Sequence, residues 1–189
     1  MKPRFIFLAG FVLVVLILAL DPQARPNIPL PHAQPAVASA PAQITGKPTI
    51  DAAFINRVLS SANSPADGTG EALYNDGVQY GINPAYALAF FKHESNFGTT
   101  GVARYTLSLG NIKCTSGYSC IDGFRAYSSW AAGYQDWYKL ISTLYINQWH
   151  LVTLEKIIPV YAPSSDGNSP QDYINAVESD VQRWQKGEV

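Results

Sequence analysis

Apolar residues along the chain fall into distinct patterns, each predicting a different element. Pro84 to Phe91 is apolar on every face, as expected of a helix buried all round. Asn83 suits its N-cap, and Pro84 suits the first helical position, where a missing N–H costs nothing. His93-Glu94-Ser95-Asn96-Phe97-Gly98 ends it in a polar, Gly-terminated turn. Other stretches carry one apolar face at helical spacing. Ile50, Phe54, Val58 and Leu59 predict a helix capped by Thr49 and running to Ser61. Glu71 to Tyr80 predicts a second helix, stopped by Gly81. Ser128 or Ser129 caps a long helix from Trp130 to about Asn147. Thr153 starts another through Tyr161, with Pro159 kinking or ending it. Ser169-Pro170-Gln171-Asp172 opens the last helix, whose buried face is Tyr173, Val177, Val181 and Trp184.

Elsewhere the helical period is missing. Ser95 to Asn111 is polar and Gly-bearing, and reads as irregular. Asn111-Ile112-Lys113-Cys114 and Ile121 to Tyr127 flank Thr115 to Ser119 as the arms of a hairpin-like ribbon. The expected fold class is therefore mainly α (α+β), a helical domain with one small β-ribbon.

The N-terminal end follows other rules. Lys2 and Arg4 precede Phe5 to Leu20, a run without a charged or strongly polar residue. Its length lies between a signal-peptide core and a full membrane span of roughly 20 residues. Residues 1–21 are expected to be an uncleaved signal-anchor with the rest of the chain outside the cytoplasm, or else a signal peptide cleaved to release a secreted protein. Residues 22–48, rich in Pro and Ala, read as an extended linker. The folded domain is expected over residues 49–189. Export makes the lone pair Cys114 and Cys120 a candidate disulfide stapling the ribbon.

Composition narrows the partners. The 189 residues carry a formal net charge of -1, and no basic cluster lies outside the extreme N-terminus, so nucleic acid is excluded as an expected partner. Low charge (14%) with high aromatic content (12%, 11 Tyr and 4 Trp) suits a sugar-stacking surface or a Tyr-rich core. No metal or organic cofactor is implied.

Candidate chemistry centres on Glu94. A carboxylate delivered by a buried helix is partly desolvated, so its pKa rises and it can act as a general acid near neutral pH. The plainer alternative is a carboxylate that ends its helix in water beside Lys92 and His93. Asp122, the only acidic residue of the ribbon, is a candidate for water activation or, as Asp122-Gly123, turn chemistry. Asp166 lies in Ser-Asp-Gly-Asn and reads as a loop-shaping residue. Asn111 could bind an acetamido group or fill a left-handed turn position. Ser95 and Tyr127 are the other expected substrate contacts, and His93 is expected to pack locally.

Three segments in order carry a resemblance: His93-Glu94-Ser95-Asn96-Phe97-Gly98, Leu109-Gly110-Asn111-Ile112-Lys113, and Tyr161-Ala162-Pro163-Ser164-Ser165-Asp166-Gly167-Asn168-Ser169-Pro170. Together they resemble the mannosyl-glycoprotein endo-β-N-acetylglucosaminidase-like group, glycoside hydrolase family 73 in type, of the lysozyme-like superfamily. The resemblance spans roughly Thr49 to Trp184. It implies a lysozyme-like domain acting on peptidoglycan or a related N-acetylated glycan, with Glu94 as general acid and Tyr161 in a supporting role near the scissile sugar. The chain departs from the fuller pattern at two places. Its ribbon lacks the second Glu of several members, and Gly110-Asn111 stands where the family usually has Phe-Gly. A lytic transglycosylase and a non-catalytic glycan-binding module are the rival expectations.

Overall fold

The computed structural model describes residues 40–189; the expected membrane segment and most of the linker lie outside them. Among the described residues no helix is long and apolar enough to cross a membrane. Seven helices and a two-stranded ribbon form the domain: α1 Ala52–Ser61, α2 Gly70–Tyr80, α3 Pro84–Ser95, α4 Ala103–Thr106, β1 Cys120–Ile121, β2 Phe124–Arg125, α5 Trp130–Leu140, α6 Leu154–Tyr161 and α7 Pro170–Gln185. The mainly helical architecture with a small ribbon agrees with the sequence pattern.

Helix α3 is the centre of the packing. Ala85, Ala87, Leu88, Ala89, Phe90 and Phe91 are all buried. It packs against α7 and α2, while α1 rests on α2, α2 on α5, and α6 on α7. Aromatic rings fill the centre: Phe90 lies 5.3 Å from Trp137 and 5.4 Å from Tyr173, and Phe91 lies 5.2 Å from Trp137. Asn83 caps α3 as expected, accepting from the Ala85 N–H at 3.1 Å.

Several boundaries differ from the sequence reading. The α1 cap is Asp51, whose carboxylate accepts from the Phe54 N–H at 2.7 Å, a charged acceptor better placed than the Thr49 hydroxyl. Thr49 instead bonds the Asn83 side chain. Within the stretch read as linker, Ile44 is fully buried. Its N–H donates to the Val152 carbonyl at 3.1 Å and its own carbonyl accepts from Asn83 N–H at 2.9 Å. The chain is thus already part of the packed unit before Thr49. The stretch read as irregular contains the short helix α4.

Two further corrections bear on the site. The long helix capped by Ser129 is α-helical only to Leu140 and continues as a π-helix over Ile141–Gln148; such wide turns recur at functional sites. The ribbon turns at Asp122-Gly123, not across Thr115 to Ser119. Cys120 pairs with Arg125 and Ile121 with Phe124, and both turn residues have positive φ, 48° and 83°, as a two-residue hairpin turn demands. Lys113 adds a single bridge to Phe124 from the other side. Cys114 and Cys120 form the expected disulfide, with Cα atoms 5.9 Å apart.

Candidate active site

The last turn of α3 brings Glu94 to a cleft of about 390 Å³. Three left-handed residues in a row, Asn96, Phe97 and Gly98, end the helix sharply. The Phe97 N–H bonds back to the Phe91 carbonyl at 3.1 Å. Ser95 holds this turn from inside, its hydroxyl donating to the Leu109 carbonyl at 2.9 Å and accepting from the Gly98 N–H at 2.9 Å. It is 1% exposed. Ser95 is therefore a brace, and the expectation that it touches substrate is corrected.

Glu94 is largely enclosed, and burial pushes its carboxyl up to about 7. One bond opposes this: the Tyr173 hydroxyl donates to Glu94 Oε1 at 2.8 Å, favouring the charged form. The carboxyl thus neither ends in open water nor meets a cation. The Glu94 main-chain carbonyl, free at the helix end, accepts from Asn111 Nδ2 at 2.8 Å. Asn111 has φ 45°, so it fills a left-handed position, and one of its amide protons is spent on the helix. Its Oδ1 is enclosed without a protein partner, and the residue lines the cleft.

The Gly110-Asn111 order has a physical basis. A Cβ on residue 110 would lie 2.5 Å from Trp137 Cδ1 and 3.1 Å from Phe91 Cε1, so only glycine fits against that indole. The Gly110 carbonyl accepts the Tyr161 proton at 2.6 Å, and the Tyr161 oxygen accepts from Trp137 Nε1 at 3.1 Å. Tyr161 lines the cleft as expected. Its hydroxyl is a strut between main chain and indole, with its proton on the Gly110 carbonyl.

Helices and ribbon face each other across the cleft. Leu140, Leu144, Tyr145, Val160 and Tyr161 form an apolar side, while Lys113, Thr115, Phe124 and Arg125 come from the ribbon segment. Arg125 Nη1 donates to Asp136 Oδ2 at 2.8 Å, and Arg125 Nη2 donates to Thr115 Oγ1 at 2.8 Å. Tyr127 and Tyr118 also donate to Asp136, at 2.7 and 3.0 Å. Burial first, then the Asp136 carboxylate, pushes the Tyr127 phenol up. Tyr127 is thereby tied to α5 and does not line the cleft, contrary to its expected role in binding.

Asp122 sits exposed at the hairpin turn with φ 48° and does not line the cleft, the geometry of its turn reading. Asp166 moves the other way. It lies in a 3₁₀ turn, Ser164–Asp166, lines the cleft, and pairs with Lys113 Nζ at 2.6 Å. The loop it shapes is therefore one wall of the cleft.

His93 stacks on Tyr173 with ring centroids 3.7 Å apart. Burial lowers its pKa and Asp180 opposes the shift. It is absent from the cleft lining, as local packing requires. Among the described residues no group of three or more His, Cys, Asp and Glu is placed to hold a metal ion.

Tyr173, Lys113 and the π-helical Leu144 and Tyr145 are the site residues that pattern reading missed. Tyr173 carried a signal, since a buried tyrosine on an apolar helix face needs a partner for its hydroxyl. The π-helix had none. No curated protein matches the chain. The family model for mannosyl-glycoprotein endo-beta-N-acetylglucosaminidase, however, matches residues 70–186. That span runs from α2 through α7, covers more than half of the chain, and includes Glu94 and the residues that hold it. The chain is a member of the mannosyl-glycoprotein endo-β-N-acetylglucosaminidase family.

Proposed function

We propose that the chain is a peptidoglycan glycosidase that hydrolyses a β-1,4 bond next to an N-acetylated sugar, with Glu94 as general acid. The observation that carries this reading is that Glu94, alone among the carboxyls lining the cleft, is enclosed and raised by burial to about 7. Such a group still holds its proton near neutral pH and can give it to the leaving glycosidic oxygen. Tyr173 orients the carboxyl, and the bond to Asn111 fixes the helix end that presents it.

Digestion of purified peptidoglycan by the full chain, with product masses read out, tests this. Soluble muropeptides carrying a new reducing end are expected, and E94Q should lower the rate by about 10²-fold or more. An E94Q protein as active as the parent refutes the assignment. Products lighter by one water would instead identify a lytic transglycosylase, a reading favoured by Glu94 being the one enclosed carboxyl among the residues lining the cleft. Binding without any product would identify a glycan-docking module.

The extracytoplasmic, membrane-anchored location is part of the same proposal. It rests on Lys2 and Arg4 before the uncharged run Phe5 to Leu20 and is compatible with the disulfide. Membrane fractionation together with N-terminal sequencing distinguishes an anchor from a cleaved signal peptide.

A further inference from the structure

The ribbon's one carboxylate, Asp122, does not line the cleft, yet the cleft contains a second one besides Glu94. Glu94 and Asp166 are the two acidic residues lining it, one from the end of α3 and one from the turn between α6 and α7. Asp136 cannot serve, because three donors already occupy it. Building on the glycosidase reading, we propose that Asp166 is the general base, which takes a proton from the water that attacks the anomeric carbon.

Three observations carry this. First, the two carboxyls occupy opposite environments. Glu94 is enclosed and meets one hydroxyl, whereas the Asp166 side chain is 40% exposed beside the Lys113 ammonium. Burial raises the first and Lys113 lowers the second, the division of labour that acid and base catalysis require. Second, Lys113 Nζ engages Asp166 Oδ2 and leaves Oδ1 with only a long 3.5 Å contact from the Ser165 hydroxyl. Oδ1 is thus open to a water. Third, the backbone under Asp166 is fixed: its N–H donates to the Pro163 carbonyl at 3.1 Å, and the Gly167 N–H donates to the Ser164 carbonyl at 3.0 Å.

The step balances without a co-reactant other than water. Glu94 gives its proton to the glycosidic oxygen as the C1–O bond breaks and its electron pair leaves with that oxygen. The water oxygen bonds C1, and its proton passes to Asp166 Oδ1. Exchange with solvent then removes the proton from Asp166 and restores one to Glu94. Attack by a free water on the face opposite the leaving group inverts the anomeric configuration.

The test uses full-length protein on purified peptidoglycan. D166N is expected to lower kcat by about 10²-fold or more with little change in KM, while D122N, at the exposed turn, keeps the parent rate. NMR of the first product should show the inverted anomer. The titratable and charged groups facing Asp166 across the cleft are Lys113, Glu94, Arg125, Tyr145 and Tyr161. Of these Lys113 is in contact, so K113M should move the acid limb of the pH profile to higher pH. A D166N protein within about threefold of the parent overturns the assignment. So does equal loss in K113M and D166N with the acid limb unmoved, which would mark the pair as a brace. A retained anomer, with inhibition by a thiazoline analogue of the sugar, also overturns it, because the substrate's acetamido group would then be the attacking group. No product from the unmodified protein would overturn the hydrolase reading as well; a normally active D166N overturns this inference alone.

Discussion

On the helical side of the cleft, Phe90 meets Trp137, Tyr161 and Tyr173 at centroid distances of 5.3, 5.3 and 5.4 Å. On the ribbon side, Cys120, Ile121, Asp122 and Gly123 are exposed, and the segment is held by one disulfide and by Asp136 with its three donors. Burial of apolar surface is non-directional and shared over many contacts, so no single one decides it. A carboxylate serving three donors is a single point of failure. The difference explains where the unfavourable group resides. Only the helical side encloses a cleft carboxyl without a counter-charge, and that is where Glu94 is; Asp136 is enclosed beside the Arg125 guanidinium.

The comparison can be broken most severely at Glu94 itself. Its carboxyl is raised from 4.5 to about 7, so between those values the unfolded chain ionises first and native stability falls as pH rises. Above the upper value the penalty is constant, about 3 kcal/mol. E94Q should therefore unfold at higher denaturant than the parent at pH 8 and match it at pH 4, while losing activity at both. Asp136→Asn attacks the other side. It leaves the Arg125 guanidinium, 10% exposed, without its counter-charge, at a cost of about 3 kcal/mol. Hydrogen exchange should then rise in residues 113–127 before it rises in α3.

Reduction of Cys114–Cys120 sharpens the same contrast at smaller scale. The bridge spans a separation of six residues, so its removal should cost about 2 kcal/mol, felt in the ribbon. Tyr161→Phe should cost about 1–2 kcal/mol, since the Trp137 N–H and the Gly110 carbonyl both lose a partner. Thermal melting and rate on the same protein separate this strut from a direct part in turnover. The smallest change belongs to Tyr173→Phe. Without the bond that favours ionised Glu94, the carboxyl titrates higher and the basic limb of the pH profile moves up. The peak rate should stay within about tenfold, because one hydrogen bond contributes about 1 kcal/mol net.

What the sequence reveals follows from how local each signal is. Helix α3 is legible because its cap, first proline, apolar run and terminal glycine are contiguous, and Glu94 is legible with it. The disulfide needs only two cysteines and a compartment. The Thr49 cap fails because Asp51, two residues on, offers a stronger acceptor, a competition that spacing alone does not resolve. The ribbon turn is misplaced because Thr115 to Ser119 and Asp122-Gly123 both carry turn chemistry, and only the pairing register chooses between them. Ser95 and Tyr127 lie next to the right segments in sequence but point at main chain and at Asp136. Asp166 is hidden for the opposite reason, because what draws it into the cleft is Lys113, 53 positions away. The π-helix over Ile141–Gln148, with Ile141 and Tyr145 buried, leaves no mark on the local pattern.

The short strap at Ala42–Thr45 has a mechanical consequence. Its backbone bonds run to two places: Ile44 N–H to the Val152 carbonyl and Leu154 N–H to the Ala42 carbonyl on one side, and Asn83 N–H to the Ile44 carbonyl on the other. A load on Ala42–Thr45 would therefore be shared among several backbone bonds. One of those bonds belongs to Asn83, the cap of the helix whose far end carries Glu94. The strap therefore joins the start of α3 to the start of α6 through main-chain bonds, so loosening it would be felt at both helix ends together.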